Sequence, residues 1–336
     1  MNQKERLMGI LAGEGADRPP FICPGGMMTM VVTEVMERAN CYWPEAHTDP
    51  EQMARLTLAA HEMAGIENAG VPFCMTIEAE GMGAKVGLGS RESEPRVTAY
   101  AMETMTELDR LTPFDPLAGR AGVCSEAIRI LKKNAPHLPV IANLSGPISL
   151  ATSLVDPLLY YRAMRRDKEA THLLTRRCTD ALAAFGAAMI EAGADVVCIA
   201  DPSATGEIIG REAFAEFAAP YLNELTNLFR ERFGAPTIVH ICGNVKGLGN
   251  ELSNLSAAAV SVDSMVAIAT LRELAPGKAT MGNISTFMLE KGEPEQLCNA
   301  SRHCLAEGVD IIAPACGISP RTPVGNIKAV AGAVCP

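Results

Sequence analysis

Eight short apolar runs recur along the chain, and most of them are followed by a longer segment with helical periodicity. The runs cover residues 19–25, 69–75, 138–146, 194–202, 236–244, 258–264, 278–285 and 308–317. Near-continuous apolar runs are typical of strands that are buried on both faces, as in parallel sheets. The intervening segments, such as 119–136 and 211–234, repeat apolar positions at helical spacing. This alternation predicts βα units along the whole chain.

Eight βα units without a glycine-rich dinucleotide loop favour a (β/α)8 TIM barrel over a doubly wound sheet. A search for G-x-G-x-x-G finds no such fingerprint. Residues 1–18 are predicted to be helical and to cap the bottom of the barrel. Residues 81–102 are predicted to form a small β-hairpin inserted after strand 2. No Gly/Ser linker or charge block marks a boundary, so we expect a single domain over residues 1–336.

Composition excludes several classes of protein. The 336 residues are 48% hydrophobic and can bury a large core, while the net charge of −10 disfavours a nucleic-acid partner. The first residues lack the apolar core of a signal peptide. The most apolar later stretch, 182–200, is interrupted by Glu191 and Asp195, so no membrane span is expected. Eleven dispersed cysteines predict reduced thiols in a cytoplasmic protein.

Polar side chains stand at the carboxyl ends of the predicted strands, where a (β/α)8 barrel carries its functional site. Those of the last four strands matter most, because these strands are neighbours in space. In chain order the strand-end residues are Cys74, Asn143, Asp201, His240, Cys242, Asp263, Asn283 and Cys316. Five of the eight come from strands five to eight, which predicts a cluster at one side of the barrel mouth.

The segment TIVHICGN (237–244) carries the most informative spacing. Side chains two apart on a strand point to the same face, so His240 and Cys242 project together where the strand ends. Cys316 closes the last apolar run in the equivalent position. Two thiolates and one imidazole form a three-ligand set with an open position, as expected of a catalytic zinc. Thiolate ligands argue against magnesium or calcium.

Two other interpretations of these three residues stay open at this point. His240 fits a hydrogen-bonded core histidine, with Cys242 and Cys316 as small buried hydrophobic residues. A cysteine–histidine nucleophile pair is the other interpretation. It lacks an obvious residue to orient the base, because the two side chains are neighbours on one strand.

Several stretches resemble the methylcobamide:coenzyme M methyltransferases, the zinc-dependent branch of the uroporphyrinogen decarboxylase superfamily. The most specific are VHICGN and the later cysteine in APACGISPRTPVGNIKA. Further matches are WPEAHTDPEQMA (43–54), VPFCMT with EGMG (71–83), SGPISLATSLV (145–155), EAGADVVCIADP (191–202) and MGNIS (281–285). The resemblance spans essentially the whole chain. It implies a (β/α)8 barrel with zinc bound by His240, Cys242 and Cys316, and Asp263 as a candidate fourth ligand.

The resemblance also implies a reaction. A methyl group moves from the Co(III) of a methylated corrinoid (methylcobamide) to a thiol, most directly coenzyme M, whose thiolate attacks in line and leaves Co(I). Tetrahydrofolate is the alternative acceptor. A non-catalytic adaptor for a corrinoid protein, with a structural zinc, is an alternative of another class.

A corrinoid-binding D-x-H-x-x-G loop is absent from the sequence. We therefore expect the corrinoid to arrive on a separate protein and to enter through an open barrel mouth. The apolar loops 25–30 and 284–289 are candidates for the rim of that mouth, with ordinary packing of barrel helices as the alternative.

The decarboxylase branch is a poor match. Its members carry arginines in the first βα loop that bind the carboxylates of a tetrapyrrole. Residues 21–37 of this chain contain no arginine and no lysine. A highly anionic tetrapyrrole would find no counter-charge there.

Other polar residues have candidate roles for which an ordinary structural role is the alternative. Asn143, Asp201 and Asn283 are candidates for orienting substrate, with support of the metal ligands as the alternative. Glu80 is a candidate for lining the site, with a solvated carboxylate as the alternative. His47 has no metal-like spacing and is predicted to lie at the surface or to cap a helix.

Overall fold

The computed structural model describes residues 1–25 and 29–334. In this part of the chain there are nine strands, which are β1 (Ala69–Val71), β2 (Lys85–Gly87), β3 (Arg96–Ala99), β4 (Val140–Ser145), β5 (Val196–Ala200), β6 (Thr237–Ile241), β7 (Ala259–Val262), β8 (Ala279–Ile284) and β9 (Ile311–Pro314).

The α-helices surround these strands. They are α1 (Gln3–Leu11), α2 (Thr33–Ala39), α3 (Pro50–Ala64), α4 (Ile77–Gly81), α5 (Gly119–Asn134), α6 (Pro147–Leu154), α7 (Pro157–Arg166), α8 (Lys168–Glu191), α9 (Gly210–Ala213), α10 (Ala219–Phe233), α11 (Ile268–Leu274), α12 (Thr286–Lys291), α13 (Pro294–Ala306) and α14 (Val324–Val334). Among the described residues, no helix combines the length and the apolar composition needed to cross a bilayer.

Seven strands form one parallel sheet in the order β1-β4-β5-β6-β7-β8-β9. Each of them lies in one of the last seven predicted apolar runs, and each neighbouring pair is parallel. The predicted α/β architecture with buried parallel strands is confirmed. Because parallel strands run in one direction, their carboxyl ends share one edge of the sheet. Polar residues that follow different strands therefore meet there.

The first predicted run lies between the two outer strands of the sheet. Ile22 N donates to Ile312 O, and Ile312 N donates to Pro20 O, both at 2.9 Å. On the other side, Glu67 N donates to Phe21 O at 2.8 Å. The segment thus joins β9 on one side to the residues just before β1 on the other.

Helix α1 packs against the amino ends of the parallel strands. Leu7 and Leu11 are buried in one cluster with Ile141 of β4, Ile238 of β6 and Ile311 of β9. Apolar burial of this kind contributes roughly 25 cal/mol per Å². The helix therefore lies at the end of the sheet opposite the carboxyl edge, as expected for residues 1–18.

The strands β2 and β3 form a separate antiparallel pair. They fall inside residues 81–102, the segment for which the sequence predicts a hairpin. Arg91, in the connection between them, places its guanidinium 3.9 Å from the centre of the Tyr42 ring. This cation–π contact fixes the connection against the loop after α2.

Candidate metal centre

The strand β6 carries His240, and Cys242 follows directly after its last residue. All five of its residues are buried, and it lies between β5 and β7, with His240 in register with Ala200 and Ser261. The carbonyl of His240 accepts a hydrogen bond from the N–H of Asp201 at 2.9 Å. The backbone of His240 is thus fixed by both neighbouring strands.

The chain turns directly after Cys242, at Gly243. This residue has a φ of +71°, and a Cβ there would lie 2.8 Å from both Glu207 Oε2 and Thr205 Oγ1. A side chain is excluded by the backbone angle and by this close approach. Glu207 also accepts a hydrogen bond from Asn244 N at 3.0 Å. The loop after β5 therefore supports the turn that positions Cys242.

Three ligand-type side chains converge at this edge of the sheet. The ligand atoms of His240, Cys242 and Cys316 all lie within 4.8 Å of one another. His240 Nε2 is 3.0 Å from Cys242 Sγ, and the two sulfur atoms are 3.2 Å apart. His240 is fully buried, whereas both cysteines are partly exposed. The set therefore has a buried side at the imidazole and an accessible side at the sulfurs.

The imidazole has a defined orientation because both ring nitrogens are in contact. Nδ1 of His240 lies 3.0 Å from Ser261 Oγ, on the adjacent strand β7. Ser261 is fully buried and was missed by sequence reasoning. The sequence does show a serine in an otherwise apolar run. That serine can be linked to the site only once its register with His240 is known. This contact leaves Nε2 facing the sulfurs.

The two sulfurs have opposite electrostatic behaviour. The hydrogen bond from Cys242, with a further contribution from His240, lowers the pKa of Cys316. The same hydrogen bond, together with burial, raises the pKa of Cys242. The hydrogen bond between the two sulfurs thus favours a pair with one thiol and one thiolate. The pair is already arranged to carry negative charge at the strand ends.

Asp263 follows β7 and is partly exposed. Its Oδ1 accepts hydrogen bonds from Ser264 Oγ and Met265 N, both at 3.2 Å. Its carboxylate is not part of the three-residue set defined above. Asn283 fixes this loop, because its Nδ2 donates to Asp263 O at 2.9 Å and to Val266 O at 2.6 Å. Asn283 thus positions the loop that carries Asp263.

Asp201 is fully buried and lies at the start of helix α6. It accepts hydrogen bonds from Ser149 N at 2.8 Å, Ser149 Oγ at 2.7 Å and Ile148 N at 3.2 Å. Burial raises the pKa of Asp201 to about 6, against these hydrogen bonds. A carboxylate at the first N–H groups of a helix is a stabilising arrangement. The structure therefore gives Asp201 a helix-capping contact, and its contact with substrate stays a prediction.

Asn143 is also buried, at 3% exposure. Its Nδ2 donates to Val71 O at 3.2 Å and also contacts the carbonyl of Pro24. One amide group thereby joins the end of β4 to the end of β1 and to the first apolar run. Its predicted role in orienting substrate also stays a prediction.

Glu80 forms an ion pair with a buried arginine that sequence reasoning missed. Arg120 Nε donates to Glu80 Oε2 at 2.6 Å, its Nη1 is 3.3 Å from Cys74 Sγ, and its Nη2 donates to Thr76 Oγ1 at 2.9 Å. Arg120 comes from helix α5 and is 6% exposed. It fixes the loop after β1, which places Cys74 in this polar cluster and outside the three-ligand set.

Glu94 is a second residue that the sequence did not single out. It lies in the connection between β2 and β3 and is partly buried. Burial, and then the negative charge on Cys316, raises the pKa of Glu94 to about 7. The connection therefore carries a carboxylate whose charge interacts with that of Cys316.

The prediction for His47 was wrong. The residue is 1% exposed, and both of its ring nitrogens are buried without a hydrogen-bond partner among the described residues. Its ring centre lies 5.1 Å from that of Trp43 and 6.1 Å from that of Phe73. Burial, reinforced by the nearby Arg120, lowers the pKa of His47 to about 3. It is a neutral core residue.

Exposed apolar side chains stand on loops at the carboxyl edge. Phe287, at the start of α12, is 75% exposed, and Met265, after β7, is 57% exposed. Ile208, in the loop after β5, is 51% exposed. Phe287 belongs to the predicted rim segment 284–289. In the other predicted rim segment, 25–30, residues 26–28 lie outside the described residues.

Comparison with known proteins places this geometry in context. The family model described as uroporphyrinogen decarboxylase (URO-D) matches residues 2–335. The methylcobamide:CoM methyltransferase MtbA of Methanosarcina acetivorans is 34% identical, over 97% of this chain and 95% of that protein. The methylcobamide:CoM methyltransferase MtaA of Methanosarcina barkeri is 31% identical, over 98% of this chain and 96% of that protein.

A solved structure supports the same relationship. A methyltransferase from Methanosarcina mazei superimposes with a TM-score of 0.92 at 30% identity, covering 100% of this chain and 98% of that one. Similarity of sequence and of structure thus extends over essentially the full length. The chain belongs to the uroporphyrinogen decarboxylase (URO-D) family.

Proposed function

We propose that this protein is a zinc-dependent methyltransferase that moves a methyl group from a methylated corrinoid to the thiol of coenzyme M. The observation that carries the proposal is the convergence of His240, Cys242 and Cys316 at neighbouring strand ends. Relatives over nearly the full length are named methylcobamide:CoM methyltransferases. The residues and the relatives point to the same chemistry.

The scaffold is a (β/α)8 barrel. The seven parallel strands supply seven of its strand positions, and the first apolar run supplies the remaining one. The hydrogen bonds that Ile312 exchanges with Ile22 and Pro20, and the one from Glu67 N to Phe21 O, support this closure. The chain then forms a single domain over residues 1–336. In such barrels the functional site lies at the carboxyl ends of the strands, where the three ligand residues stand.

The donor set suits zinc. One imidazole nitrogen and two thiolate sulfurs are ligands that zinc prefers, and three protein ligands leave a position for substrate. When bound, zinc supplies a positive charge that lowers the pKa of a substrate thiol near it. Asp263 is the candidate fourth ligand, carried by the loop that Asn283 holds.

Each residue of the site has a separate task in this proposal. Ser261 holds His240 so that Nε2 faces the sulfurs. Cys242 and Cys316 provide negative charge, which leaves the electron density on a bound substrate sulfur high enough for attack on the methyl group. The partly exposed sulfurs face the side from which the thiol and the corrinoid arrive.

The corrinoid is carried by a separate protein, because the sequence has no D-x-H-x-x-G loop. Its access route is the carboxyl edge, where Phe287 and Met265 expose apolar surface. Exposed apolar side chains at a binding edge are suited to contact a large, largely apolar cofactor face. Dispersed cysteines and a thiolate site are suited to the reducing cytoplasm, which we propose as its location.

A methyl-transfer assay tests the proposed function. Purified protein is supplied with methylcobalamin and with coenzyme M, homocysteine or tetrahydrofolate, and formation of cob(I)alamin is followed by absorbance. We expect transfer to coenzyme M, and its loss in Cys316→Ala. Cys298→Ala is the matched control. This cysteine is also partly exposed, but it lies in α13 and donates a hydrogen bond to Ala329 O in α14, outside the three-ligand set.

The outcomes of this assay distinguish the candidate acceptors from one another, and an enzyme from a non-catalytic adaptor. Methylation of tetrahydrofolate without methylation of coenzyme M would identify tetrahydrofolate as the acceptor in place of coenzyme M. No transfer to any acceptor by zinc-loaded protein would leave the structural-zinc adaptor as the better description.

A further inference from the structure

Helix α7 exposes a face that no element within residues 1–25 and 29–334 covers. Leu158 is 74% exposed, and Arg162, Arg165 and Arg166 are exposed at four, seven and eight positions further along. This spacing places all four on one side of the helix. An exposed leucine followed by three exposed arginines is unlike the charged, mixed surface of an ordinary barrel helix.

The arginines line a cleft of about 630 Å³. We call it the arginine cleft, defined by Arg162, Arg165 and Arg166 on one side and by Ile208 and Ile209 on the other. No described residue forms an ion pair or hydrogen bond with these three guanidinium groups. They therefore concentrate uncompensated positive charge on a chain whose net charge is −10.

Carboxylates in the wall do not neutralise the cleft. Glu216 is paired with Lys168 at 2.7 Å, and the remaining acidic residue in the wall is Glu212. Three unpaired cations against one carboxylate leave a local charge of about +2. Charge of this kind draws an acidic partner and fixes its orientation.

The cleft is connected to the metal centre by a single loop. Ile208 and Ile209 belong to the loop after β5, and the adjacent Glu207 accepts the hydrogen bond from Asn244 N at 3.0 Å. Asn244 follows Cys242 by two residues. Across the cleft, Tyr161 OH donates to Ser203 O of the same loop at 3.5 Å. A partner seated in the cleft would lie beside the edge that carries the ligands.

We propose that the arginine cleft docks an acidic segment of the protein that carries the methylated corrinoid, an inference that rests on the proposed function. Two observations favour a protein segment over a small anion. The exposed stripe from Leu158 to Arg166 extends along about 12 Å of helix, at 1.5 Å per residue. It also carries three arginines beside an exposed apolar side chain, and arginine is enriched in protein–protein contact surfaces.

The test uses a labelled acidic peptide and two charge-reversal variants. The probe is a fluorescein-labelled peptide of repeating Glu-Glu-Leu-Glu, and the same peptide with glutamine in place of glutamate is the uncharged control. Fluorescence anisotropy measures binding to the full-length protein. The variant Arg162→Glu/Arg165→Glu/Arg166→Glu is compared with Lys133→Glu/Arg232→Glu/Arg302→Glu, which changes net charge equally at exposed positions elsewhere.

We expect the acidic peptide to bind the wild-type protein and the control variant alike, more weakly at high salt. We expect at least ~10-fold weaker binding to the variant of the arginine cleft, because like charges face each other there. Thermal unfolding and zinc content check that both variants remain folded.

Three outcomes would overturn the proposal. The first is equal binding to both charge-reversal variants, and the second is equal binding of the glutamine peptide. The third is displacement of the acidic peptide by inorganic phosphate, which would assign the cleft to a small anion, or by methylcobalamin, which would assign it to the free cofactor. Peptide binding is measured without a methyl donor. A failed methyl-transfer assay would therefore refute the corrinoid identity of the partner, and a failed peptide assay would refute the docking surface.

Discussion

The Sγ atoms of Cys242 and Cys316 lie 3.2 Å apart, although 74 residues separate them in the sequence. This is farther than the ~2.05 Å of a disulfide bond. It is close enough for one ion to contact both sulfurs at ~2.3 Å. The ends of two strands, β6 and β9, bring the sulfurs together, so the pair depends on the parallel sheet and not on local sequence.

Zinc content is the first prediction. We expect about one zinc per chain, because three protein ligands of matching chemistry converge. Cys316→Ala should lose most of this zinc, since two remaining ligands hold the ion weakly. Elemental analysis of the purified proteins measures the content, with Cys298→Ala as the control. Full zinc content in Cys316→Ala would contradict the ligand assignment.

Proton release on thiol binding is the second prediction. A free thiol with a pKa of ~8.5 is mostly protonated near neutral pH, so binding as thiolate should release close to one proton per site. Calorimetric titration with coenzyme M in two buffers of different ionisation enthalpy measures the number. The metal-free protein and Cys242→Ala should release none. Proton uptake by the zinc-loaded protein would argue for a different acceptor.

Ser261 gives the third prediction. Ser261→Ala removes the partner of His240 Nδ1 and should weaken zinc binding by roughly 10–100-fold. Competition with a chelator of known affinity measures the change. Ser301→Ala is a suitable control, because Ser301 is equally buried and donates to Leu297 O at 2.9 Å, far along the chain in α13. Unchanged zinc affinity in Ser261→Ala would show that this contact does not orient the ligand.

His47 gives a prediction about pH. Its pKa is about 3 in the folded state, against an ordinary histidine pKa of 6.5, so the unfolded chain binds the proton more readily. The contribution of His47 to stability is complete above pH ~6.5 and is lost as the pH falls towards 3. The slope is about 1.4 kcal/mol per pH unit, or about 2 kcal/mol between neutral pH and pH ~5.

The variant His47→Phe should remove this part of the pH dependence, because a phenyl ring fills the space beside Trp43 and Phe73 without a titrating group. Urea unfolding at neutral pH and near pH 5 measures the free energy in both proteins. His303→Gln, at an exposed position, is the control. Equal loss of stability on acidification in the wild type and in His47→Phe would contradict the prediction.

The sequence predicted the parallel strands because their apolar runs are continuous and regularly spaced. It predicted the convergence of His240, Cys242 and Cys316 because strand ends in such folds share one edge. It did not predict Arg120 beside Cys74, or Asp201 at the start of α6. These contacts join residues about 50 positions apart, on elements whose relative rotation the sequence pattern does not encode.

Unlike the other seven apolar runs, the first one does not form a regular strand, and the reason lies in its own sequence. Three of its seven residues, Pro19, Pro20 and Pro24, have no N–H group and cannot donate to a neighbouring strand. The run was correctly located, but regular ladder pairing gives way to isolated bridge residues, among them Phe21, which pairs with Ile312. Composition alone did not reveal this loss.

The position of this first run between β9 and the residues before β1 has a consequence for how the sheet holds together. On the β1 side of this run, side chains supplement the main-chain hydrogen bond from Glu67 N to Phe21 O. Glu67 Oε1 accepts from Phe21 N at 3.0 Å, while Asn68 accepts from Cys23 N at 2.8 Å and donates to Cys23 O at 3.0 Å. Arg6 and Arg18 in turn hold the Glu67 carboxylate. The join between the first run and the residues before β1 thus depends on two polar side chains and their arginine partners in addition to one main-chain bond. An amino-terminal truncation would therefore loosen the scaffold that brings Cys316 to the centre.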